Sequence, residues 1–250
     1  MDDPLSLPTL MPYWAFRSRP DDIEKTIVVT GTPRGGTTFA ASVVASLGLP
    51  FRGDREQGVN GKPAFNTARY EHSGFIKAWK KDRDLYAAIA REMDAQLSAW
   101  AIKHPRAVDD LEAACHSFRN PHFIFAMKEP MSVAMRLCQY EMSDLTNEAL
   151  GRAMKKTLRH QLTALDFCLS SGVPCLMVSY DMAMRNVRPA IDGIAGFLGI
   201  ERYDAAAIEA VLRTDWDTYT KLDTFKLGKR SDDPERRRIS RGAIRGLGRR

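Results

Sequence analysis

The sequence has no apolar run approaching the ~20 residues that a membrane-spanning helix needs, and its cysteines form no pattern. Cys115, Cys138, Cys168 and Cys175 are scattered, with no C-x-x-C pair and no histidine at ligand spacing. That speaks against structural zinc and against a disulfide framework, and the four read as reduced, partly buried thiols. The first residues, MDDPLSLPTLMPYW, begin acidic and are broken by prolines, unlike a secretory signal. A cytoplasmic protein is the expectation. An excess of charge is also missing outside one stretch. The 250 residues carry 37 Lys+Arg and 31 Asp+Glu, a net +6. Residues 229–250 hold nine basic and three acidic residues, the whole of that excess.

The chain falls into three parts: a proline-rich lead-in over 1–24, one domain over 25–228, and a basic tail over 229–250. The tail reads most simply as a solvated, poorly ordered end. Its sharper reading is a peripheral contact with anionic lipid or another polyanion, with no specific nucleic acid as partner. The domain is long enough to bury a substantial core, and its 44% apolar content is ordinary.

Within the domain, short apolar runs alternate with helical periods. Ile27–Thr30, AWAIKHP, HFIFAM and PCLMVSY read as strands. Helices are predicted from about Gly36 to Leu47, over 74–99, over 108–118, from Pro130, over about 145–170, and over VRPAIDGIAGFLGI. Residues 48–70 are polar and glycine-rich, with no period. Such alternation predicts an α/β fold, a parallel sheet of at least four strands covered on both faces. Ligands of such sheets sit beyond the carboxyl ends of the strands, which here carry the 31–38 loop, Lys103–His104, Lys128–Glu129 and Tyr180–Asp181.

The 31–38 loop, GTPRGGTT, has the plan of a phosphate-binding loop, G-x-x-x-x-G-K-[ST], without its lysine. Gly31 and Gly36 occupy the glycine positions, Thr38 the final hydroxyl, and Thr37 the lysine position. Backbone amides of a glycine-rich turn at a helix start form an anion site. The missing charge is assigned to Arg34, whose guanidinium can grip a phosphate in bidentate fashion. A magnesium-dependent kinase or nucleotide hydrolase would need the lysine and a metal-holding aspartate. HFIFAM ends instead in Lys128, so the site is expected to be cationic and without metal.

GTPRGGTTF between a strand and a helix resembles the loop of sulfotransferases that use 3'-phosphoadenosine 5'-phosphosulfate (PAPS). FRNPHFIFAMKEPMSVAMR and LMVSYDMAMRNVRPAIDGIAGFLGI resemble two further segments of that family in the same order, so that the likeness spans 27–200. The resemblance implies a P-loop NTPase-like three-layer α/β/α domain. It implies that Thr32, Pro33, Arg34, Gly35, Gly36, Thr37 and Thr38 cradle the 5'-phosphosulfate and that Phe39 and Tyr180 lie by the adenine. It also implies that Lys128 and Arg136 bind the 3'-phosphate, although the family usually has arginine and serine there. Arg34 would also assist the leaving group. Three residues compete for the base: Glu71, in a family-like NTARYEHSGF; His104, beside a sulfonate-contacting Lys103; and Glu56. The acceptor stays open among glycan, lipid-linked sugar, phenol and small metabolite. The rival reading outside enzymes is a non-catalytic polyanion binder acting through the tail.

Overall fold

The computed structural model describes residues 11–52, 70–140 and 146–213. Glu56 and the basic tail lie outside them. Five strands form one sheet: β1 (Tyr13–Phe16), β2 (Lys25–Gly31), β3 (Ala99–Lys103), β4 (Pro121–Met127) and β5 (Cys175–Ser179). Their order is β1-β5-β4-β2-β3. Strands β2 to β5 pair in parallel, and β1 closes one edge antiparallel to β5. The lead-in is therefore not only a lead-in: four of its residues supply an edge strand.

Strand alternation divides the core. Ile27 and Val29 of β2, with Ile124 of β4 and Leu176 of β5, face α1 (Thr37–Ser46) and α8 (Val187–Leu198). Val28, Trp100, Ile102, Phe123 and Phe125 face the other way, against α2 (Ser73–Lys81), α3 (Arg83–Gln96), α4 (Leu111–Ser117) and α6 (Asn147–Ser170). Successive side chains of a strand point to opposite faces, so runs that are apolar throughout dictate helices on both sides. The α/β architecture read from the sequence is the observed one, with a sheet that is mostly parallel.

Helix boundaries follow capping chemistry. The single helix predicted over 74–99 is two, because Asp82 is extended and its carboxylate accepts from the Leu85 amide at 3.0 Å, starting α3 afresh. The 108–118 prediction is a 3-10 turn, Pro105–Asp109, followed by α4, which Asp110 caps through the Ala113 amide at 3.1 Å. Thr146 caps α6 in the same way. The remaining described helices are α5 (Pro130–Tyr140), α7 (Tyr180–Arg185) and residues 205–213.

Candidate functional site

The parallel register brings the ends of β2, β3, β4 and β5 to one edge, with Val29 beside both Lys103 and Ile124 and Met127 beside Ser179. The 32–36 turn leaves β2 there and delivers the chain to α1. Gly35 donates its amide to the Thr32 carbonyl at 2.8 Å, closing the turn. Arg34 and Gly36 adopt left-handed φ values of 71° and 95°. Gly36 is the residue before α1, and a Cβ there would lie 2.7 Å from the Tyr180 ring. Both the backbone angle and the ring demand glycine. Gly31 is fixed by another contact, since its Cβ would meet the Ala126 carbonyl oxygen at 2.5 Å. Thr32 and Thr37 are buried, while Pro33, Arg34, Thr38 and Phe39 are half-buried.

A cation reaches the loop from the neighbouring strand. Lys103, the last residue of β3, is 1% exposed. Its Nζ donates to Thr38 Oγ1 at 3.1 Å and lies 3.2 Å from Glu71 Oε1. Its amide donates to the Tyr70 carbonyl at 3.3 Å, which holds the 70–71 segment against β3. Tyr70 takes a left-handed φ of 69° and packs on Phe51. Glu71, Lys103 and Thr38 thus form one chain of polar contacts from a segment, a strand end and a helix start. Sequence reading named each of the three and missed their joining, which depends on the β2–β3 register and on the backbone bond from Lys103 to Tyr70.

On the other side of the loop, Phe39 meets Tyr180 edge-on, ring centroids 5.8 Å apart. The Lys128 ammonium sits 4.5 Å from the centroid of the same Tyr180 ring. The Lys128 carbonyl accepts from Gln161 Nε2 at 2.7 Å. Glu129 caps α5, its carboxylate accepting from the Met131 and Ser132 amides at 2.7 and 2.6 Å, and those bonds lower its pKa. The Glu129 amide in turn donates to Asp181 Oδ2 at 2.7 Å. Arg136 is half-buried two turns into α5.

His104 is placed differently. The imidazole is fully buried, with Nδ1 3.0 Å from the Tyr86 hydroxyl and the ring edge-on to Trp79. Burial, helped by the Arg83 charge, pushes its pKa down to about 3. An imidazole that resists protonation so strongly is a weak proton acceptor at neutral pH. A second histidine, His160, escaped sequence reading because nothing in the helix α6 pattern marks it. Its Nε2 lies 3.0 Å from Asp109 Oδ1, and this contact holds the Asp109 carboxyl below its ordinary range.

Among the described residues, no three His, Cys, Asp or Glu side chains are grouped to hold a metal ion, and no helix is long and apolar enough to cross a membrane. No protein-family model matches the chain, and no curated protein matches it. Among solved structures, the sulfotransferase domain from the Synechococcus PCC 7002 olefin synthase is similar over 77% of this chain and 79% of that one, at 19% identity and a TM-score of 0.47. A likeness of that size carries no functional argument, which rests on the residues themselves.

Proposed function

We propose that the protein is a sulfotransferase that moves the sulfuryl group of PAPS to a hydroxyl or amine of an acceptor. The observation that carries this reading is the buried Lys103 ammonium between Thr38 and Glu71. In a magnesium-dependent loop the final hydroxyl turns to the metal. Here that hydroxyl accepts from the Lys103 ammonium at 3.1 Å, which supports a loop whose cation comes from the protein. The loop sequence adds the second support, because GTPRGGTTF between strand and helix resembles the PAPS-binding loop.

In this reading the amides of Gly35, Gly36, Thr37 and Thr38, with Thr32 and Pro33 shaping the turn, hold the 5'-phosphosulfate at the start of α1. Arg34 and Lys103 offset the charge that gathers on the bridging oxygen as the sulfur–oxygen bond breaks. Lys128 and Arg136 take the 3'-phosphate, and Phe39 and Tyr180 flank the adenine. Transfer forms a new bond from sulfur to the acceptor oxygen or nitrogen, whose proton must pass to a base. Glu71 suits that task better than His104, because it is a half-buried carboxylate already joined to the loop through Lys103.

A thermal-shift titration tests the reading. Adenosine 3',5'-bisphosphate without metal should stabilise the protein, by about 2.7 kcal/mol at a hundred times its Kd, a rise of roughly 5–10 °C for a domain of this size. A preference for Mg-ATP would overturn it.

A further inference from the structure

The longest helix among the described residues leaves a row of leucines exposed. On α6, Leu158, Leu162 and Leu169 are 45%, 60% and 57% exposed, and the half-buried Leu165 completes the row. Steps of four, three and four residues place all four on one face. The core takes a different face, formed by Thr157, His160, Ala164, Phe167 and Cys168. Exposed Arg152, Lys155, Lys156 and Arg159 border the row over its N-terminal half, against the acids Glu148 and Asp166. The bond from Gln161 to the Lys128 carbonyl sets this stretch at the carboxyl edge of the sheet, on the side of the candidate site. Single exposed leucines need no explanation, but an ordered row beside four cations does.

We infer that this face of α6 docks on an anionic lipid bilayer, with the leucines sunk at the headgroup–acyl boundary and the cations on lipid phosphates. Lysine and arginine stems suit that boundary, since the apolar stem lies along the leucines while the charge meets the headgroup. The chain's own basic stretch over 229–250 carries the same sign as the four cations, so charge complementarity favours an anionic surface over that stretch as the occupant. A second copy has little to hold. From Leu158 to Leu169 the row is about 17 Å long at 1.5 Å per residue, too small a face for the ~1,200 Å² that stable association buries. Docking this way would bring the candidate site to acceptors carried on lipid, a consequence that rests on the sulfuryl-transfer reading, whereas the docking does not.

Co-sedimentation of the full chain with vesicles tests the inference without donor or turnover, so its failure is distinct from failure of the transferase reading. Vesicles of three parts phosphatidylcholine to one part phosphatidylglycerol should retain the protein and pure phosphatidylcholine should not, with binding weakened by salt. Leu158→Ser/Leu162→Ser/Leu169→Ser should reduce that binding at least tenfold at an unchanged thermal midpoint. Lys155→Glu/Lys156→Glu, which leaves the leucines in place, should reduce it similarly and serves if the first variant does not fold. Three results overturn the inference: no binding to the anionic vesicles, variants that bind like the parent, or a parent dimer in light scattering that the leucine substitutions dissociate.

Discussion

At the scale of single residues, Lys103 concentrates the chemistry. A buried ammonium is tolerated only when its donors are met, and Thr38 and Glu71 meet two of the three. Lys103→Met keeps the length of the stem and removes the charge. It also leaves the Glu71 carboxylate without its partner, and removing one member of a buried pair costs up to about 3–5 kcal/mol, so the urea midpoint should fall and binding is compared under conditions where the variant stays folded. Affinity for adenosine 3',5'-bisphosphate, measured by calorimetry, should fall by roughly 10- to 150-fold, the equivalent of about 1.5–3 kcal/mol for a charged hydrogen bond. Unchanged affinity would remove Lys103 from the donor site. Glu71→Gln separates the two roles further. It should retain donor binding and lower turnover by about 10²–10⁴-fold, the contribution of a positioned base. Arg34→Ala should lower turnover strongly with a modest loss of stability, and intact turnover would exclude Arg34 from leaving-group chemistry. The identities of these side chains were legible because the loop has a recognisable spacing and strand ends carry ligands. Their pairing was not, because Glu71 and Lys103 are joined by a fold contact 32 positions apart. The isolation of His104 was equally hidden, since a strand-end histidine reads the same in sequence whether it faces solvent or Trp79.

At the scale of elements, the parallel strands could be read because burial on both faces makes their middles continuously apolar, as Ile27–Val29 shows in β2, which is buried from Lys25 to Gly31. The edge strand β1 could not. In Tyr13–Phe16 the two central residues, Trp14 and Ala15, are exposed although they point to opposite faces, and prolines lie nearby in sequence, so it lacks the signal that marks a central strand. The break between α2 and α3 was hidden for another reason: the apolar period continues across Asp82, and only the cap reveals a restart. Two aspartates near α3 should therefore behave differently. Asp82→Ala removes one exposed cap and should cost about 1 kcal/mol. Asp94, near the end of the same helix, accepts at Oδ1 from Thr26 Oγ1 at 3.1 Å and Trp100 Nε1 at 2.8 Å, and at Oδ2 from the Arg119 amide at 3.2 Å. It ties α3 to β2, to β3 and to the approach to β4. Asp94→Ala strands the buried Trp100 donor and two others, each worth about 1–3 kcal/mol when left unmet. Its urea midpoint should drop well below that of Asp82→Ala. Equal midpoints would show that Asp94 is not a junction.

At the scale of the whole molecule, two buried histidines couple folding to pH. His104 has its pKa pushed down to about 3 by burial, and His122, also fully buried, is shifted the same way by the same cause. The Asn120 and Arg19 carbonyls, 3.0 and 3.3 Å from its two ring nitrogens, and the nearby Asp22 charge favour the protonated ring and counter that shift in part. In the unfolded chain an ordinary histidine takes up a proton near pH 6.5. Below that pH the unfolded state therefore binds more protons than the folded state, and stability falls as pH falls. For His104 the window runs from the ordinary histidine value down to about 3, with a slope approaching about 1.4 kcal/mol per pH unit once the unfolded imidazole is protonated. Urea midpoints measured at successive pH values should decline across this window. His104→Gln retains an acceptor for the Tyr86 hydroxyl and removes the titrating ring, so its midpoint should decline less steeply than that of the parent. Parallel curves for parent and variant would mean that His104 takes up its proton in the folded protein as readily as in the unfolded chain. The imidazole would then be open to protonation from solvent, and its standing as a candidate base would return.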